Sequence, residues 1–275
     1  MSAPPPLREV IARHGLDARR SLGQHFLLDS NLTARIVRLA GDLAGRHVIE
    51  VGPGPGGLTR ALLASDAASV TAIEIDPRAV AAIEELAADS QARLRVIADD
   101  ALALDLAALT PAPRQIVANL PYNIASPLLV RWLRQAAAFE RLTLMFQQEV
   151  AERICAAPGG RDYGRLSVLA QWTCEAAIVL RIPPAAFVPP PKVWSTVVRL
   201  VPRAIQPHAA LFARMEQVTA AAFGQRRKML RGALKAIGGE TLLRAAGLAP
   251  DRRAETLTVG EFENLAREAG EVGAR

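Results

Sequence analysis

Two cysteines in 275 residues, Cys155 and Cys174, cannot supply a disulfide framework, and their spacing fits no metal site. Both are expected to be small buried hydrophobes. No run of about 18 uninterrupted apolar residues occurs, so no membrane span is expected. The opening stretch, MSAPPPLREV, lacks the apolar core of a secretory signal, which points to the cytoplasm. Internal repeats are also missing. What remains is a chain 51% apolar, long enough to bury a sizeable core as one large domain plus a small one.

Charge is unevenly divided. Residues 1–180 carry 18 Lys+Arg against 19 Asp+Glu, and residues 181–275 carry 15 against 8, nets of −1 and +7 that give the chain its +6. A basic tail on a near-neutral body suggests a polyanion such as nucleic acid. An arginine-rich solvated surface would give the same balance.

After a basic, Pro-rich lead-in of 28 residues, DSNLTARIVRLAG reads as a helix, with Asp29 as N-cap, Leu32, Ile36 and Leu39 on one face, and Gly41 as the stop. Short β-rich runs follow at 47–52, 70–75, 94–98, 114–120 and 142–148, separated by Ala/Leu-rich segments of helical period. Such alternation predicts a parallel sheet covered on both faces. Two more runs, at 176–182 and 195–201, have only PPAAFVPPPKVW between them; without a crossover helix they are expected to be antiparallel. The sheet is therefore Rossmann-like, mostly parallel with its last strand antiparallel, resembling class I methyltransferases at the level of fold. From Pro202 onward the pattern is helical. Leu211, Met215, Val218 and Ala222 form one stripe. In GQRRKMLRGALKAIG, Leu230, Ala233, Leu234 and Ile237 form another, with Arg227, Arg231 and Lys235 at i, i+4, i+8 opposite. The expected division is 1–203, an α/β domain, and 204–275, a small all-α basic domain. APGGRDYGR (157–165) looks like a mobile surface loop.

EVGPGPGGLTRALLA is a strand, a glycine-rich turn and a helix, the arrangement that lets a ligand approach backbone N–H groups. Gly52, Gly54 and Gly57 satisfy the dinucleotide pattern, and Gly52, Gly54 and Gly56 satisfy the methyltransferase one equally well. Glu74, roughly 20 residues on, is placed to bind a ribose diol in either class. Asp99 and Asp100 follow the third strand at the same sheet edge; one can accept from an adenine amino group, or cap a turn.

NLPYNIASPLL (119–129) separates the two cofactor classes. The lone pair on adenine N6 is delocalised into the ring, so the amine is a poor nucleophile. Two acceptors on its N–H groups favour a pyramidal nitrogen and turn that lone pair outward. The Asn119 side-chain carbonyl and the Leu120 backbone carbonyl are the candidates. Pro121 fixes the backbone beyond them, and Tyr122 offers a face for a splayed-out base, worth about 1–3 kcal/mol.

RSLGQHFLLD, EVGPGPGGLT, IEID, ADDAL, NLPYNIASPLL, FVPPPKVWSTVVRL and AFGQRRKML occur in this order. Together they closely resemble the ribosomal RNA adenine dimethyltransferases, specifically the small-subunit methyltransferase A group, over residues ~20–235. That resemblance implies S-adenosylmethionine as cofactor and two adjacent adenines of small-subunit (16S) rRNA as substrate, dimethylated at N6 within a pre-30S particle. It implies that His25 and Leu27 line the cofactor pocket, Gly52 lies against the methionine part, Glu74 holds the ribose and Asp100 meets the cofactor's adenine. Asn119 would sit between donor and target, with Tyr122 and Phe187 sandwiching the target base. His25 stands where the family usually has asparagine, so a contact made there by a side-chain amide is in doubt. Lys192, Arg226, Arg227, Lys228, Arg231 and Lys235 would contact phosphates. A cytoplasmic monomer is expected. The rivals are a large-subunit dimethyltransferase of the antibiotic-resistance type, a DNA adenine methyltransferase, a binding protein acting as an assembly checkpoint and, remotely, a nicotinamide dehydrogenase.

Overall fold

Each β-rich run becomes a strand, and each Ala/Leu-rich segment packs its apolar stripe on the sheet. The computed structural model describes residues 4–16, 24–225 and 227–272. Among them are nine strands: β1 (Phe26–Leu27), β2 (His47–Val51), β3 (Ser69–Glu74), β4 (Leu94–Ala98), β5 (Arg114–Asn119), β6 (Arg141–Gln147), β7 (Cys174–Ile182), β8 (Phe187–Val188) and β9 (Ser195–Pro202). Seven form one sheet in the order β4-β3-β2-β5-β6-β9-β7. β2 to β6 pair in parallel, and β9 runs antiparallel to both β6 and β7. The expected fold class holds: a mostly parallel Rossmann-like sheet whose last strand in the chain, β9, runs antiparallel between β6 and β7.

The strand order reverses between β2 and β5, the place where an open α/β sheet leaves a crevice beyond its carboxyl edge. Helix Ser30–Leu39 starts at Asp29, whose carboxylate accepts from the Asn31 N–H at 2.8 Å, as the sequence predicts. Helix Pro77–Ala88 is capped by Asp76 and carries its proline in the first turn, where a missing N–H costs nothing.

β1 and β8 form a separate two-stranded sheet that sequence reading misses, with Phe26 opposite Val188 and Leu27 opposite Phe187. Two-residue strands have no periodicity to read. This pair nonetheless ties the lead-in to the connection between β7 and β9, above the crevice.

Of the last helices, Ala209–Gly224 and Val259–Val272 pack against Arg165–Thr173, and Gly239–Ala245 packs against Val259–Val272. Leu211, Met215, Val218 and Ala222 are buried, as their stripe predicts, and the Trp172 and Phe212 rings stack at 5.8 Å. Glu216 joins the two parts by accepting from Arg134 and Arg165.

Two expectations need correction. GQRRKMLRGALKAIG is not one helix: its described residues form a turn, a single helical turn at Leu230–Ala233 and a 3-10 turn at Lys235–Ile237. The N–H groups of Leu230 and Arg231 donate to the carbonyls of Arg252 and Pro250, so Arg227, Arg231 and Lys235 do not share a helical face. The 157–165 loop is anchored, because Tyr163 is fully buried beside Phe223 and the Gly159 N–H donates to Glu255. Cys174 is buried and Cys155 half-buried, and burial pushes both thiols up to about 11. No described helix is long and apolar enough to cross a membrane.

Candidate active site

Parallel register brings four segments distant in sequence to one edge. Val51 pairs with Ile73, Glu74 with Ala98, and Asn119 with Met145, so the residues that follow β2, β3, β4 and β5 all open on the same crevice. Its lining includes His25, Leu27, Gly52, Glu74, Asp100, Asn119, Leu120, Pro121 and Tyr122, nine residues singled out from sequence.

The glycine turn is shaped by its neighbours. A Cβ on Gly52 would meet the Pro121 ring at 3.2 Å, with φ at +70°, and one on Gly57 would meet the Leu27 carbonyl oxygen at 2.5 Å. The first contact brings the turn against the Asn-Leu-Pro-Tyr segment; the second brings it against the lead-in. Any side chain at either position would drive two walls of the crevice apart.

Glu74 is 6% exposed and holds the turn from the other side. Its carboxylate accepts from the N–H groups of Gly54 (3.2 Å), Ile75 (2.9 Å) and Asp76 (3.0 Å). Burial raises its pKa despite those three donors. Asp100 accepts from the Leu102 N–H at 2.9 Å through one oxygen and caps a turn. Helix Leu106–Leu109 has its own cap, Asp105.

At the end of β5 the Asn119 Nδ2 donates to the backbone carbonyl of His25 at 3.1 Å. A carbonyl only accepts, so this bond fixes which way the amide lies and leaves Oδ1 as the free acceptor. Asn119 thus uses the backbone of residue 25 and not its side chain. The imidazole Nδ1 lies 2.9 Å from the Pro189 carbonyl and must therefore carry the proton, while the ring sits 5.4 Å from that of Tyr122. Tyr122 is half-buried; burial raises its pKa, and its hydroxyl pairs with the buried Ser195.

Phe187 departs from expectation. It does not line the crevice, is 2% exposed, and belongs to a buried cluster with Leu27, Leu180 and Val197. Alternation in β8 leaves Val188 exposed and Phe187 inside, so the Tyr122–Phe187 sandwich is not built in this structure. Lys192, Arg227, Lys228, Arg231 and Lys235 are all exposed, and none lines the crevice. Arg226 lies outside the described residues.

The sequence reading missed Glu50. This acid lies within β2, lines the crevice and is 1% exposed; Oε2 makes no hydrogen bond of good geometry, although the Thr59 hydroxyl lies close enough to favour the charged form. Burial pushes its carboxyl up to about 8. An acid just before a glycine turn was the available signal. Ile75 was missed too; it lines the crevice and is 58% exposed, an apolar wall open to a flat ligand.

Residues 15–270 match the family model for ribosomal RNA adenine dimethylase. A small-subunit rRNA methyltransferase A of Gluconobacter oxydans (strain 621H) is 64% identical over 262 residues, 95% of this chain and 86% of that protein. Among solved structures, a dimethyladenosine transferase from Plasmodium falciparum is similar at TM-score 0.75 and 25% identity, over 90% of this chain and 98% of its own. The 23S rRNA methyltransferase ErmE is similar at TM-score 0.65 and 28% identity, over 89% of this chain and 99% of its own.

Proposed function

The chain belongs to the ribosomal RNA adenine dimethylase family and is an rRNA methyltransferase, and from that premise we propose that it uses S-adenosylmethionine to dimethylate N6 of two adjacent adenines in small-subunit rRNA. The observation that carries the reading is the Asn119 amide, turned by the His25 carbonyl so that Oδ1 is left to accept beside the Leu120 carbonyl.

The crevice has the chemistry this cofactor needs. Glu50 offers a buried carboxyl with an unpartnered oxygen, a complement for a cationic amino group. Glu74, fixed by three N–H groups, has lone pairs left for ribose hydroxyls, and one Asp100 oxygen and exposed Ile75 suit an aminated flat base. When bound, the cofactor supplies an electrophilic methyl on a sulfonium. The protein's own share is positional. The Asn119 and Leu120 carbonyls grip the two N6 protons before the first transfer and the one that remains before the second, each transfer releasing one proton to solvent. Tyr122, steadied through Ser195, gives the base one face to lie on. No strong base is required.

The basic residues 192, 226–228, 231 and 235 would grip phosphates, giving affinity without reading sequence. Residues 1–203 would then act as the catalytic body and 204–275 as the helical RNA grip. The target has to leave its stack, so a loop of rRNA in a pre-30S particle is a cheaper substrate than duplex. The protein would meet that particle as a monomer in the cytoplasm, where ribosomes assemble. Radiolabelled S-adenosylmethionine with unmethylated small subunits tests the reading: label is expected on two neighbouring adenines of small-subunit rRNA. Label on large-subunit rRNA would instead favour the activity named for ErmE, and no label on either would overturn both.

A further inference from the structure

Among the described residues, six large hydrophobic side chains stand exposed, and three of them, Val188, Val193 and Trp194, fall within seven positions of the connection leading into β9. Two site residues fasten this connection. The His25 ring donates to the Pro189 carbonyl, and Tyr122 pairs with Ser195, the residue after Trp194. Prolines at 189, 190 and 191 stiffen the span between. The result is a rigid apolar ledge beside the crevice, its position set by two crevice residues, His25 and Tyr122, the second of which offers its face to the target base. Trp194 is 46% exposed, while Trp132 and Trp172 are 0% and 8% exposed. Among described residues its indole stacks on no other ring.

Charge identifies the occupant. From Glu175 to Glu216 the chain has no other acid and five cations, one of them Lys192 on the ledge. The nearest acids on the abutting helix are engaged, Glu152 by Gln148 and Glu149 by Arg153. An apolar face within a cationic stretch suits a nucleobase whose phosphate meets the lysine better than it suits a neutral protein surface. We propose that Trp194 is a stacking platform for an unpaired rRNA base next to the target adenine, with Lys192 on the adjoining phosphate. The proposal rests on the rRNA-methylating reading and adds a specificity-determining residue to it. Stacking there would hold the strand splayed while Tyr122 receives the neighbouring base.

Trp194 carries its own test, because the other two tryptophans are sheltered. In the full chain, a single-stranded RNA containing adjacent adenines is expected to quench the acrylamide-accessible part of the tryptophan emission, and W194F is expected to lack that signal. In label transfer to small subunits, W194A is expected to raise KM about tenfold with a much smaller change in kcat. W194F, which keeps a stacking face, should restore most of the loss, and both variants should keep the wild-type melting temperature. An emission unmoved by RNA, or a W194A KM equal to wild type, overturns the assignment and leaves the ledge to a protein partner or a second copy. Failure of wild type to label rRNA would sink the underlying reading instead; the quenching arm does not depend on turnover.

Discussion

At the carboxyl edge of the sheet each functional group is held by another part of the chain: Asn119 by the carbonyl of residue 25, Tyr122 by Ser195, Glu74 by the glycine turn. Beyond Gly224 the arrangement is different. Arg227, Lys228, Arg231 and Lys235 stand exposed on a turn and two short helical pieces, sharing no helix face. Positioning chemistry needs ångström placement, and a fold supplies it only through mutual constraint. Phosphate gripping needs charge within a Debye length, and exposed cations supply that without fixed geometry. The two regions should therefore fail in different ways.

The largest effect is expected at the constrained end. Asn119→Ala removes one of two acceptors and should lower kcat about 10²–10³-fold, the scale of losing one preorganised partner in other sites. RNA binding should be retained. Label transfer at saturating substrate and filter binding measure the two quantities, and undiminished turnover would break the assigned role. Neutralising Lys228, Arg231 and Lys235 together should do the reverse, weakening RNA binding about tenfold or more while kcat at saturation stays close to wild type. For single strands the slope of log affinity against log salt should fall by about 2. An unchanged slope would mean that these cations merely solvate the surface.

A gentler measurement can join the two regions. Lysine occurs only at 192, 228 and 235, one position beside the crevice and two beyond Gly224. An amine-reactive reagent followed by peptide mapping should show all three protected several-fold by small subunits. Protection of Lys192 alone would confine the RNA to the ledge and remove the helical residues from the interface.

The same contrast explains what sequence made legible. The glycine turn, Glu74 and Asn119 could be read because their constraints run through spacing: a strand, a turn, an acid some 20 residues on. Periodicity could not place Phe187. A two-residue strand has no pattern, and a shift of one residue exchanges the inner and outer positions, so a ring expected over the site lies in the core beside Leu27. The basic segment was legible as composition but not as shape, because its helical pattern is overridden by bonds from Leu230 and Arg231 to a distant stretch of chain. Tyr163 hid in a run of Gly, Arg and Asp that reads as loop, yet its ring anchors that loop in the core.

Glu50 tests the constrained region at its weakest point. It lies in a strand whose last four residues are all buried, and only its charge and its place just before the glycine turn set it apart from its apolar neighbours. Its carboxyl is held at about 8, above the ordinary 4.5, so the folded protein keeps a proton that the unfolded chain releases. The stability this contributes is complete below about pH 4.5 and is lost as pH rises through about 8. Glu50→Gln has no proton to lose. It should therefore flatten the decline, gaining on wild type toward pH 8, with each kcal/mol worth about 2–4 °C of melting temperature in a chain of this size. Cofactor binding should move the opposite way. If the orphaned oxygen receives the cofactor's amino group, the glutamine loses a charge–charge contact, and S-adenosylmethionine should raise its melting temperature less than that of wild type. Melts from pH 5 to 9 with and without cofactor read both effects. A variant that gains stability at high pH and loses cofactor response would show that the strand carries a buried acid at a standing cost to the fold because the ligand needs it. Parallel pH curves for the two proteins would mean that Glu50 is not the group whose proton the fold retains.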